Sequence, residues 1–297
     1  MSVTVDHARP LTPSGNLRRR LAINRLAESV ATAAAGLAVA VLGIVVFSVV
    51  RNGGSAISFA FLTQPPPVGL VGSGGGIGPA IAGTALIVGV ATVVAAPIAI
   101  LVALYTTEFA SRRGARVVGA ALDLLNGLPT IVIGIFMFGL LVAGRGQSGF
   151  AASLALAIIM LPLIARSAAE VLQLVPKSLS DAADALGVAR WRTVRGVLLP
   201  NAVGGILTAT VLAVARAAGE TAPLILLCSI SGQTVAVNFF DKALPNIPVT
   251  IFSLSEDADP DGFTRAWGAA LVLLVFILVS GLAGRILLGR TRAKLAR

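Results

Sequence analysis

The sequence predicts an all-α integral membrane protein of six transmembrane helices with both termini in the cytoplasm. Three observations carry that reading: the apolar composition, six apolar runs of spanning length, and the uneven placement of cations between them. Of 297 residues, 56% are hydrophobic and only 12% charged, against roughly 25% charged in soluble domains. The mean hydropathy is +0.93. The single cysteine, Cys228, and the single histidine, His7, exclude a disulfide framework and a Cys/His metal site. The formal charge of +10 does not read as a nucleic-acid surface, because the basic residues flank apolar spans instead of interleaving with aromatics on a polar face.

A helix crossing about 30 Å of hydrocarbon needs roughly 20 apolar residues. Six segments meet that length, at 27–50, 79–105, 117–143, 150–175, 202–230 and 266–288. The first follows Arg18, Arg19, Arg20 and Arg25, as a secretory signal would. Its apolar core is longer than a signal's roughly 7–15 residues, so it reads as a retained span. The second is preceded by the run Gly72–Pro79, which invites a phosphate-cradle reading. No Lys-Ser/Thr pair follows at P-loop spacing and no strand precedes it, so the run reads as a turn with Pro79 in the first helical turn. The second to fifth spans carry Pro97, Pro129, Pro162 and Pro223 in turn. Proline is tolerated at membrane depth where neighbouring helices or cavity water satisfy the freed carbonyls. No internal repeat of the kind that builds inverted-repeat carriers is visible.

Lysine and arginine set the orientation, since translocating them is disfavoured. Seventeen lie in the N-terminal tail, the segments 106–116 and 176–200 and the C-terminal end, whereas the alternate loops hold only Arg51, Arg145, Lys242 and Arg265. The expected organisation is a cytoplasmic tail over 1–26, a six-helix domain over 27–289 and a second cytoplasmic tail over 290–297. The acidic cluster Glu256, Asp257, Asp259 and Asp261 falls in an outer loop.

Two groups of residues carry the functional reading. The first is the inner loop 176–200, in which Asp181-Ala182-Ala183 is followed after three residues by Gly187, and after nine more by Val197, Leu199 and Pro200. Ser180 suits a helix N-cap, Asp181 and Asp184 suit the positive end of a short helix, and Gly187 suits its termination. A short helix with small residues fits a groove on a partner; Arg190, Arg192 and Arg195 also suit the headgroup surface. The second group is the buried charges. Arg216 lies 14 residues past Ala202, about 21 Å along a helix, where an arginine costs about 2.5–3.5 kcal/mol and needs a partner. Glu220 shares its face at i+4. Arg166 and Glu170 repeat the spacing in the fourth span. A guanidinium fork binds tetrahedral oxyanions bidentately, so an anion pathway is the expectation, with a structural ion pair as the alternative.

The loop spacing resembles the EAA loop of ATP-binding-cassette importer permeases, EAA-x3-G-x9-I-x-L-P, with Asp for Glu at Asp181 and Val for Ile at Val197. Further resemblance narrows the family. Ala215–Leu224 (ARAAGETAPL) is similar to a segment of phosphate permeases of the Pst type, specifically their PstA branch. So are Gly75–Thr84, Asn126–Phe136, Leu161-Pro162 through Arg166, and Val175-Pro176.

The resemblance implies a type I importer permease in a bacterial plasma membrane that binds no cofactor and is not an enzyme. ATP and Mg would be used by a PstB-like ATPase dimer. A PstC-like permease would complete the pathway, and a phosphate-binding protein would deliver inorganic phosphate. Membrane lipid would surround the chain, and no nucleic acid is implied. Asp181, Ala182, Ala183, Gly187, Val197, Leu199 and Pro200 would couple to the ATPase, and Arg216, Glu220, Arg166 and Glu170 would line the pathway. Another oxyanion such as sulfate or molybdate remains the alternative cargo, and an ion-coupled carrier without an ATPase the alternative class.

Overall fold

The structure is a computed structural model that describes residues 15–66, 75–229, 239–240, 242–256 and 260–295. Arg9, positions 72–74 of the glycine run, Asp257, Asp259 and Arg297 lie outside the described residues. The chain divides into two compact units, Met1–Arg51 and Asn52–Arg297. The described part of the first is filled by α1 (Gly15–Gly53). From Leu37 to Val50 its side chains are apolar except Ser48, and most are exposed, as expected of a helix that faces lipid rather than an aqueous solvent.

The second unit begins with the short α2 (Phe59–Thr63), capped by the Ser58 hydroxyl, which accepts from the Phe61 amide at 3.1 Å. Next comes α3 (Gly78–Leu104), with Pro79 in its first turn as expected. Its end widens into a π turn at Tyr105–Phe109. The run before α3 is tied to α2 by backbone: the Ile77 amide donates to the Phe61 carbonyl at 2.7 Å and the Gly78 amide to that of Gln64 at 3.1 Å. Residues 76–78 of the run are thus held as a turn between α2 and α3.

The third apolar segment departs from the expected single helix over 117–143. It forms α4 (Arg112–Gly127) and α5 (Thr130–Met137), the latter extended by a π turn at Phe138–Val142, and the pair is bent by 95°. The physical reason is Pro129. It has no amide to donate, and it forces Leu128 out of the helical region to φ −69°, ψ 134°.

The fourth span is the continuous α6 (Gly149–Gln173), capped by Ser148, whose hydroxyl accepts from the Ala151 amide at 3.2 Å. Then follow α7 (Lys177–Ala185), α8 (Arg190–Thr193), a π turn at Val194–Leu198 and α9 (Leu199–Ala218). The fifth segment, expected to run to 230, stops at Gly219 and resumes as the short α10 (Ala222–Leu227), with Pro223 in its first turn. Two helices, α11 (Ile247–Ser255) and α12 (Pro260–Leu295), complete the unit.

Among the described residues five helices are long and apolar enough to span, and six if the bent α4–α5 pair counts as one span. The core is lined by small residues at helical spacing: Ala91, Ala95 and Ala99 on α3, Ala151, Ala155, Ala165 and Ala168 on α6, and Ala202, Ala209, Ala213 and Ala217 on α9. With lipid as solvent, apolar burial supplies little drive for association. Alanine rows let the backbones approach closely and gain van der Waals contact.

Candidate functional site

Arg216 occupies the last turn of α9, not the middle of a longer helix. Its Nε stands 3.8 Å from Glu220 Oε1, the guanidinium about half exposed and the carboxylate largely covered. The i,i+4 pairing expected from sequence is therefore present but loose. Between the partners the helix breaks: the Gly219 amide turns back to the Arg216 carbonyl at 3.1 Å and the Glu220 amide to that of Ala217 at 3.2 Å. Unwound backbone at membrane depth is tolerated only where protein covers it or it lines a polar cavity. A cation in the last turn also matches the negative end of the α9 dipole.

The break is positioned by α5 and α10. Gly134 on α5 faces Pro223 so closely that a Cβ would come within 2.9 Å of the Pro223 Cα. The Asn126–Phe136 and Ala215–Leu224 segments, separate in sequence, thus meet in space. Beyond α10 the chain is held by side chains. Gln147 Nε2 donates to the Leu226 carbonyl at 3.0 Å, and the fully buried Asn246 donates through Nδ2 to the Cys228 carbonyl at 3.0 Å.

Arg166 is paired differently from the expectation. Its Nη2 forms an ion pair with Asp123 Oδ2 and donates to the Gly119 carbonyl at 2.7 Å, while Glu170 is exposed. Gly119 and Asp123 are one helical turn apart on α4, so one nitrogen reaches both. Asp123 was missed by sequence reasoning. The available signal was a lone carboxylate inside the apolar third segment. Its partner was invisible to a search at i+4 because it sits on another helix.

The loop 176–200 folds as a helix–turn–helix start. Ser180 lies inside α7, whose N-cap position is Pro176, so neither Ser180 nor Asp181 and Asp184 occupies the helix start. The termination is as expected. Gly187 adopts φ +70°, its amide donates to the Asp184 carbonyl at 3.0 Å, and the Val188 amide reaches that of Ala183 at 3.0 Å. This is a Schellman closure, in which glycine avoids the left-handed penalty. Ala183 is the one buried residue of α7, and Asp181 and Ala182 are exposed. Val197 lies in the π turn, and Leu199 and Pro200 open α9. Among the described residues no group of three His, Cys, Asp or Glu side chains could hold a metal ion.

A multi-helix membrane unit with a broken, charged span and an exposed short helix between two spans defines the class: a solute permease of the membrane. Residues 95–293 match the family described as the binding-protein-dependent transport system inner membrane component. Solved structures of the fold include a bacterial alginate ABC transporter in complex with alginate pentasaccharide-bound periplasmic protein. Its match has a TM-score of 0.64 at 15% identity, over 90% of this chain and 95% of that one. The MetNI methionine ABC transporter in an inward-facing conformation matches at TM-score 0.56 and 18% identity, over 72% and 93%.

Sequence relatives are closer. The phosphate transport system permease protein PstA of Yersinia pestis is 33% identical over 98% of this chain and 99% of its own length. PstA 1 of Mycobacterium tuberculosis H37Rv is 38% identical over 70% and 68%. The chain belongs to the PstA family of phosphate transport system permeases, multi-pass components of the inner membrane with the type I importer fold.

Proposed function

We propose that this chain is a transmembrane permease subunit of an ATP-driven importer of inorganic phosphate. The observation that carries the reading is Arg216 at the break of the fifth span, its guanidinium half free and only loosely held by Glu220. A tetrahedral oxyanion offers that guanidinium a bidentate, charge-assisted contact better than the one it has. Phosphate replaces Glu220 as its partner during passage, and the differential contact biases one state of the pathway over the other. Arg166, held by Asp123, supplies a second cation on the earlier helix α6, and Glu170 stands exposed one turn beyond it.

The distribution of cations favours cytoplasmic termini, with α7 on the cytoplasmic side. There Asp181, Ala182, Ala183, Gly187, Val197, Leu199 and Pro200 form the seat for an ATPase subunit, one of a PstB-like pair. A PstC-like permease supplies the other half of the pathway, and a phosphate-binding protein loads it from outside. ATP and Mg act in the ATPases, and this chain carries no catalytic group. The names of the relatives favour phosphate over other oxyanions.

The test is labelled-phosphate uptake in cells lacking the gene, restored with wild type or Arg216→Ala at matched membrane levels, with sulfate and molybdate as controls. Wild type restores phosphate uptake alone. Arg216→Ala lowers it about ten- to a hundredfold, the value of a lost charge-assisted contact of about 1.5–3 kcal/mol. Equal uptake by the two would remove Arg216 from the pathway, and rescue of sulfate instead would change the cargo.

A further inference from the structure

Arg190 is not used by the reading above, yet it has the densest set of side-chain bonds in the loop. Its Nη1 donates to Ser180 Oγ at 3.2 Å and to Asp184 Oδ2 at 3.1 Å, both on α7. Its Nη2 donates to Glu108 Oε2 at 2.8 Å. Glu108 lies 82 residues earlier, in the π turn that ends α3, with its side chain only 14% exposed. One planar fork at the start of α8 thus holds α7 and the end of α3 together.

The turn that presents Glu108 is itself fastened. The Thr106 hydroxyl donates to the Ala103 carbonyl at 2.9 Å, the Thr107 hydroxyl to the same carbonyl at 3.0 Å, and the Ala110 amide to the Tyr105 carbonyl at 2.8 Å. Displacement at Glu108 is therefore carried into α3, whose alanine row packs in the core with α6. By contrast α7 buries only Ala183, so packing alone gives it little purchase on the bundle.

We propose that Arg190 is a positioning residue, a clasp through Glu108 that transmits displacement of α7 to α3, and hence couples a partner seated on α7 to opening of the pathway. The clasp rests on the reading of this chain as an importer permease. A guanidinium serves this role because its donors point in fixed, divergent directions; an ammonium on a flexible stem does not hold three acceptors in register. A partly covered pair of charge-assisted bonds is also screened less than exposed pairs.

The test uses the complete importer, this chain with its partner permease and ATPases, in proteoliposomes with the phosphate-binding protein and labelled phosphate. Phosphate imported per ATP hydrolysed is the readout. Glu108→Ala removes the acceptor and so cuts the link to α3, while leaving Ser180, Asp184 and Arg190 in place. The expected result is retained ATPase subunits and retained ATP hydrolysis, with phosphate per ATP lowered about fivefold or more. The exchange Glu108→Arg with Arg190→Glu restores part of the ratio. An unchanged ratio in Glu108→Ala overturns the clasp, and so does loss of the ATPase subunits from that variant, which would make the contact a docking element. Failure of the wild-type complex to import phosphate with ATP overturns the cargo reading instead, and the same ratio is then taken with sulfate.

Discussion

Arg166 and Arg216 were both legible in the sequence as arginines inside apolar segments, but only one of their partners was. Glu220 follows Arg216 by four residues and is found beside it, although at 3.8 Å and across a break that spacing does not reveal. Asp123 is joined to Arg166 by the packing of α4 against α6, a relation between helices that periodicity along one helix cannot see. The Arg166 and Asp123 side chains are 42% and 68% exposed in the single chain, so the pair does not anchor its packed core. Removing the carboxylate then tests function rather than folding. Asp123→Asn is expected to leave the amount of inserted protein unchanged and to lower phosphate uptake severalfold, while Glu170→Gln, whose carboxylate is exposed, leaves uptake near wild type. The reverse order in the same uptake assay would return Glu170 to the place given to Asp123.

The helices show where hydropathy informs and where it is blind. Spans two and four fall within two residues of the expected limits, and α12 contains the expected sixth span while running past both its ends, because an apolar run of spanning length has no other stable form in lipid. The third and fifth segments are equally apolar, yet each contains a break. Pro129 and the Gly219–Pro223 stretch mark those breaks, but the same residue types at Pro97 and Pro162 sit inside unbroken helices. Tertiary contact makes the difference, as at Gly134 against Pro223. For α7 the end was legible and the start was not, since Gly187 is required by its backbone angle whereas Ser180 was one of several possible caps. Gly187→Ala places a Cβ at φ +70° and costs about 1 kcal/mol. With Ala183 the only buried side chain of α7, that cost falls on local opening. Amide exchange in 182–188 is expected to speed up by about fivefold with exchange in α6 unchanged; equal protection in the two proteins would show that the Schellman closure does not hold α7.

Across the whole chain, the proposed coupling rests on which side of the membrane α7 faces, and the charge distribution makes a testable statement about it. Moving the seventeen-cation side outward would carry three or more basic residues through the bilayer with each inner segment, against the bias that sets topology in short loops. Cys228 is fully buried, its sulfur between the amide and carbonyl of Leu244 at 2.9 and 3.0 Å, so the native chain serves as a background of low thiol reactivity. Ser178→Cys, exposed on α7, and Arg145→Cys, exposed between α5 and α6, then report opposite sides. A membrane-impermeant maleimide added to intact spheroplasts is expected to label Arg145→Cys and to spare Ser178→Cys until the membrane is opened. The opposite pattern would put α7 outside. An ATPase in the cytoplasm could then neither seat on it nor pull Arg190 and Glu108, and the coupling scheme would fall with the orientation while the helix packing stood unchanged.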